Sequence, residues 1–221
     1  MIHRFASVAA VALLAGACHF SADAEERDPG PEVSRNYQVG AFDKIAVAGP
    51  YEVTVVTGGQ PGVSAKGGQN LLEETDVVVE GDTLKIMPKK RKGIRWNWNR
   101  GKAVFTVNAA ALHGAAIAGS GDLKLASVTG GKIKLAIAGS GDVSAAGKAD
   151  SVNLSIAGSG DIDAGGLAAQ TADVSIAGSG NIAANASGTA DVSIMGSGDV
   201  AISGGAKCTV SKHGSGNVRC S

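Results

Sequence analysis

A chain of 221 residues is long enough for one domain with a core of its own. Its 33 glycines and 4% aromatic content exclude a core of large side chains and favour a narrow interior of Ala, Val, Ile and Leu with recurrent tight turns. Basic and acidic residues number 20 each, so net charge gives no argument for a nucleic-acid partner; yet none of the acids lies between Asp82 and Asp122, where Lys and Arg cluster.

The start reads as an export signal. His3 and Arg4 precede an apolar run over residues 5–17 that is too short to span a bilayer. Ala22-Asp23-Ala24 offers a cleavage site, making residues 1–24 a removed signal peptide. The alternative is lipidation at Cys18, behind Leu14-Ala15-Gly16-Ala17, although Ala15 stands where a bacterial lipobox has Leu. Either route leads to an oxidising compartment, periplasmic or extracellular, or an outer-membrane lipoprotein in the second case. Membrane association follows only if Cys18 is lipidated. Residues 25–36, charged and containing Pro29 and Pro31, read as a flexible tether.

Residues 37–221 read as a single domain, irregular over 37–108. Residues 42–47 alternate, as do 51–55, about an Ala48-Gly49-Pro50 turn, which makes an early rung. Val63-Ser64-Ala65-Lys66 is a short strand, and residues 70–76 could hold a short helix. Residues 77–86 have the form of a hairpin about a Gly81-Asp82 turn. After a basic segment, Ala103-Val104-Phe105-Thr106-Val107 is another strand.

Six Gly-Ser-Gly rungs fill residues 109–221. Ile117-Ala118-Gly119-Ser120-Gly121-Asp122-Leu123 recurs with its first glycine at Gly139, Gly158, Gly178, Gly196 and, decayed, Gly214, in steps of 20, 19, 20, 18 and 18 residues. A fixed period of this size marks a solenoid, in which stacked repeats bury what none could bury alone. Two and four places before the glycine stand Ile117 and Ala115, Ile137 and Leu135, Ile156 and Leu154, Ile176 and Val174, Ile194 and Val192. Small or polar residues separate them, and Leu123, Val143, Ile162, Ile182 and Val200 follow the turn. This is period two, one face in and one out. The expected fold is all-β: a right-handed parallel β-helix or β-solenoid with rungs of ~18–20 residues in parallel register. Propeller blades need about 40 residues and signatures absent here.

The same phase places Cys208 and Cys220 at inward positions on opposing strands of the last rung, where a disulfide would clamp it. Lys212 takes the inward slot that Ile holds in the other rungs, ending the apolar stack as a capping repeat does. The column Asp122, Asp142, Asp161, Asn181, Asp199, Asn217 could suggest Ca²⁺, but the spacing is not that of a nine-residue calcium roll. Asp and Asn accepting backbone N–H bonds at the bend explain their exchange better. The serines of the bends make a turn ladder rather than nucleophiles. Four scattered histidines make no metal cluster, and no cofactor is implied.

One stretch breaks the monotony. Residues 89–102 hold seven cations, Lys89, Lys90, Arg91, Lys92, Arg95, Arg100 and Lys102, both tryptophans, Trp96 and Trp98, and no acid. A loop of this kind suits anionic glycan, lipopolysaccharide or membrane headgroups, with Trp stacking on sugar and Arg and Lys holding phosphate. The plainer reading is a protruding hairpin in this N-terminal part, whose tryptophans cover an open end of the solenoid.

The Phe42-Asp43-Lys44-Ile45-Ala46-Val47 opening, the Gly81-Asp82-Thr83-Leu84-Lys85-Ile86 element and the Gly-Ser-Gly-Asp rungs together resemble the GIN-domain family, the head domain of auto-transporter adhesins, over roughly residues 42–203. The resemblance implies a β-solenoid in two unequal parts with an adhesive or cell-surface role, and carries over no catalytic residue. The expectation is therefore an exported, non-enzymatic module that binds envelope glycan, lipopolysaccharide or another surface protein, and that is free to oligomerise. A polysaccharide lyase or hydrolase on a β-helix scaffold is the alternative.

Overall fold

The computed structural model describes residues 28–89 and 102–221. In chain order the elements are β1 (Glu32–Tyr37), β2 (Lys44–Ala48), β3 (Tyr51–Thr57), β4 (Gly62–Gly68), α1 (Gln69–Glu73), β5 (Thr75–Glu80), β6 (Thr83–Pro88) and β7 (Ala103–Ala109). The repeats supply β8 (Gly114–Gly119), β9 (Asp122–Thr129), β10 (Lys132–Gly139), β11 (Asp142–Lys148), β12 (Ser151–Gly158), β13 (Ile162–Gly178), β14 (Ile182–Gly196), β15 (Val200–Ser203), β16 (Lys207–His213) and β17 (Val218–Cys220).

These strands coil into a β-solenoid with two flanks. The first flank stacks β6, β2, β8, β10, β12, the later halves of β13 and β14, and β16. The second stacks β7, β3, β9, β11, the earlier halves of β13 and β14, then β15 and β17. All of these pairings are parallel. Among the described residues, antiparallel strands appear only at the N-terminal end, where β5 joins β6, and β1 joins β4 and through it β7. The expected parity holds: every inward residue of the first five Gly-Ser-Gly rungs is buried, with Leu135, Leu154 and Val174 fully so.

The stacking order departs from the chain order. The rung β2–β3 forms first, yet it ends between β6–β7 on one side and β8–β9 on the other. The chain leaves the coil through β4, α1 and β5, adds β6–β7 outside the first rung, and returns to the other side to begin the repeats. Lys89 after β6 and Lys102 before β7 therefore lie toward the corner that Gly49-Pro50 and the Gly-Ser-Gly bends occupy in their own rungs.

Among the described residues, the N-terminal end holds the aromatic part of the core. Tyr51 and Phe105 pack edge to face, 5.4 Å between ring centres, and the Tyr51 hydroxyl lies 3.1 Å from Oγ1 of buried Thr75. Burial raises the Tyr51 pKa above its ordinary value. Leu71 and Leu72 of α1 are buried at this end. The helix is a single short turn, starting at Gln69 rather than at residue 70. The tether expectation needs correction. Residues 32–36 are strand, because Val33, Arg35 and Tyr37 alternate towards the core and β4 offers an open edge that β1 covers.

The bends depend on both glycines. The first sits in left-handed backbone, φ +142° at Gly158 and +141° at Gly178, which side chains avoid. A Cβ on the second, at Gly141, Gly160 or Gly198, would overlap the carbonyl oxygen of the corresponding glycine one rung earlier. The serine between them contributes its backbone: Ser159 N–H donates to Gly139 O at 2.9 Å and Ser179 N–H to Gly158 O at 2.9 Å.

At the far end Cys208 and Cys220 are disulfide-bonded, with Cα atoms 6.6 Å apart. Their inward phase gives less burial than expected. Cys220 is exposed, and Val210 in an inward slot is 47% exposed, because no rung stacks beyond the last. Lys212 stands in register with Ile194, and its Nζ reaches across the open coil to donate to Gly216 O at 2.8 Å. A cation with its own backbone acceptor closes the stack where an isoleucine would leave apolar surface for another chain.

Candidate functional site

The Asp/Asn column lies on the second flank, immediately after the bends, and its chemistry is now explicit. Asp142 Oδ1 accepts the Asp161 backbone N–H at 2.9 Å, and Asp161 Oδ1 accepts the Asn181 N–H at 2.7 Å and its Nδ2 at 3.0 Å. Asn181 Oδ1 accepts the Asp199 N–H at 3.1 Å, and Asp199 Oδ1 accepts the Asn217 N–H at 2.7 Å and its Nδ2 at 3.1 Å. Asp142, Asp161, Asn181 and Asp199 thus each cap the next rung rather than their own bend. An amide oxygen does this as well as a carboxylate, which is why Asn substitutes. Asp161→Ala should cost about 1 kcal/mol by stranding two donors, while Asp161→Asn should be near neutral; paired denaturant titrations would check both values.

The column is longer than the Gly-Ser-Gly repeats suggest. Glu52 stands in register with Asp122, and Asp122 with Asp142. Glu52 follows Gly49 by the same three places that separate Asp122 from Gly119, so the repeat offset already marked it. Glu52, Asp122, Asp142, Asp161 and Asp163 line an open groove of about 460 Å³, with Lys124 as the cation in its wall. Lys102, the last residue of the basic segment, reaches Glu52 with Nζ–Oε1 2.9 Å. That hydrogen bond, and then the charges of Glu52 and Asp122, hold the Lys102 ammonium above its ordinary pKa.

Of the basic segment, Lys89 and Lys102 are described. Lys89 anchors one side through its backbone N–H to Glu74 O at 2.8 Å, and Lys102 anchors the other on Glu52. Lys90, Arg91, Lys92, Arg95, Trp96, Trp98 and Arg100 lie outside the described residues, as does Cys18. No helix among the described residues is long and apolar enough to cross a membrane.

A second polar cluster, which the sequence reading passed over, sits at the return side of the first flank. His113 Nδ1 lies 3.3 Å from Asp43 Oδ2, and Lys44 pairs with Asp82, Nζ–Oδ2 2.5 Å. The hydrogen bond from Lys44 is the largest cause holding the Asp82 carboxyl below its usual range. A depressed carboxylate stabilises the fold above its unfolded pKa and loses that contribution as pH falls through the folded one. Lys44→Met should therefore flatten part of the loss of stability on acidification, read as Tm against pH.

Comparison with solved structures returns the same architecture. A putative adhesin from Bacteroides fragilis superposes with a TM-score of 0.67 at 25% identity, covering 86% of this chain and 97% of that one. A putative adhesin from Parabacteroides distasonis gives 0.53 at 20% identity, with 87% and 98% covered. A putative lipid binding protein from the same species gives 0.51 at 24% identity, with 87% and 97% covered. No curated protein matches the chain in sequence. A family described as "Putative auto-transporter adhesin, head GIN domain" matches residues 41–206, the span from the first rung to the start of the last. The chain belongs to that GIN head-domain family.

Proposed function

We propose that the chain is an exported, non-enzymatic binding module that recognises anionic glycan or lipopolysaccharide through residues 89–102. One observation carries this reading: the segment with seven cations and both tryptophans is joined to the outermost parallel rung, at a corner where the other rungs spend a short glycine bend. A stiff, fully hydrogen-bonded coil holds the segment's two ends, so ligand contacts made there cost little ordering of the scaffold. Tryptophan faces suit sugar rings, and Arg and Lys suit phosphate or carboxylate. The chain also enters at this end of the stack, through β1. A lipid on Cys18 would therefore put the segment on the membrane-proximal side.

A glycan and lipopolysaccharide array tests the reading. Wild type should bind, and Trp96→Ala combined with Trp98→Ala should weaken binding by roughly tenfold or more. Equal binding by the two proteins would sink it. Mass spectrometry of the mature N-terminus distinguishes a start at Glu25 from a lipidated Cys18.

A second reading has its own observation. The carboxylate groove touches the basic segment through Glu52 and Lys102, as a polysaccharide-cleaving site would require. Against it, Asp142 and Asp161 each commit an oxygen to the next rung and Glu52 is ion-paired. Release of reducing ends from an acidic polysaccharide, abolished by Asp122→Asn, would establish this reading in place of the first.

A further inference from the structure

The two flanks differ in how their outward side chains are employed. On the second flank the Asp/Asn column is occupied with neighbouring rungs. On the first flank lies a groove of about 580 Å³ whose polar lining, apart from His113 on Asp43, makes no bond with another described residue. One ladder along it is Lys132, Ser151, Thr171 and Thr189, and the other is Lys134, Asn153, Asp173 and Asp191, in exact register across β10, β12, β13 and β14. With strands about 4.8 Å apart, four rungs make ladders roughly 14 Å long. None of these side chains makes a hydrogen bond or ion pair with another described residue.

The charges are also arranged against the interest of the fold. Asp173 stands directly opposite Asp191, and Lys132 and Lys134 face the same side two places apart, while Asn153 separates Lys134 from Asp173. Like charges directly across strands destabilise a sheet; on the second flank Asp142 and Asp161 offset this by accepting the next rung's N–H, whereas Asp173 and Asp191 make no such bond with a described residue. Departures of this kind without local compensation belong to binding surfaces. A peptide adding as a strand is excluded, because β10, β12, β13 and β14 are each paired on both sides. What remains on offer is hydroxyls, an amide, two cations at one end and two carboxylates at the other.

We propose that this groove binds a linear acidic oligosaccharide lying along the stack, across the strands. Its carboxylate meets the ammonium groups of Lys132 and Lys134. Its hydroxyls exchange hydrogen bonds with Ser151, Asn153 and Thr171 and donate to Asp173 and Asp191. The volume lies within the range of small-ligand sites, about 300–1,000 Å³. The site is separate from residues 89–102, which join strands at the bend end, whereas Lys132 and Ser151 open β10 and β12 at the return end. It does not depend on that segment binding anything.

The test is an NMR titration of the ¹⁵N-labelled chain with a galacturonate tetramer, a mannuronate tetramer and the methyl-esterified galacturonate tetramer. The free acids should shift the amides of Ser151, Asn153 and Thr171 and leave Ser144 and Ala183, on the other flank, in place. Lys132→Ala combined with Lys134→Ala should raise Kd on the order of tenfold, and the neutral ester should bind correspondingly more weakly than its acid. Trp96→Ala with Trp98→Ala should leave this binding unchanged, which separates it from the glycan reading of the basic segment. No shift with either acid, shifts confined to the other flank, or an unaltered Kd in the lysine double variant would overturn the proposal.

Discussion

Gly160→Ala is expected to lower the melting temperature by roughly 10 °C, from a loss of about 3–5 kcal/mol at 2–4 °C per kcal/mol for a domain of this size. The residue is not in left-handed backbone, so the cost comes from space. An added methyl would overlap Gly141 O, and it would also meet Gly141 C at 3.0 Å and Ile137 Cγ2 at 3.1 Å. The overlapped atom is backbone in a stack where the adjoining strands are paired on both sides, so relief requires prising two rungs apart. Two controls isolate the cause. Ser159→Ala, one residue away and exposed, should stay within about 0.5 kcal/mol, since the serine serves the ladder through its N–H. Gly205→Ala has φ +80° and open space around it, so it should show backbone strain alone, about 1–2 kcal/mol. Calorimetric melts of the three variants decide the matter. If Gly160→Ala melts within 2 °C of Ser159→Ala, the close-stacked bend is not what holds the coil.

The same glycine phrase explains what could be read from the sequence and what could not. Its spacing, with the period-two parity around it, is a local property of the chain, and local properties identified the buried Leu135, Leu154 and Ile156, the paired Cys208 and Cys220 and the terminal Lys212. Pairing order is not local. Nothing in residues 83–88 or 103–109 says that they stack outside the first rung rather than after it, since β2 would pair equally well in parallel on either side. The strand β1 was hidden for a related reason. Its charges and the prolines before it suggest a tether, and only the open edge of β4 makes an alternating Val33, Arg35, Tyr37 worth ordering. The Asp column was legible as a turn feature, but its acceptors serve the next rung, a partner 18–20 residues away that composition cannot name. The groove of the first flank was less legible still. Its ladders mix Lys, Ser, Thr, Asn and Asp, so they look like unrelated surface residues until register puts them in line.

Replacing both Cys208 and Cys220 with serine should remove roughly 2–3 kcal/mol from the last rung and very little from the rest of the coil. The reasoning starts from how thinly that rung is held. Among the described residues, β16 pairs only with β14, and β17 is three residues long and pairs only with β15. Val210 and Cys220 have no rung beyond them to bury against. The disulfide ties one flank to the other across a sequence separation of 12, so without it either terminal strand can peel away alone. In a solenoid each repeat contacts only its neighbours, and a loss at the end therefore stays at the end. Hydrogen exchange should show faster amides over β16 and β17, a partial effect in the β14–β15 rung, and unchanged protection in β10 and β12. A uniform loss of protection along the stack would mean that the coil melts as one unit, and the clamp would then be holding the whole fold rather than its last turn.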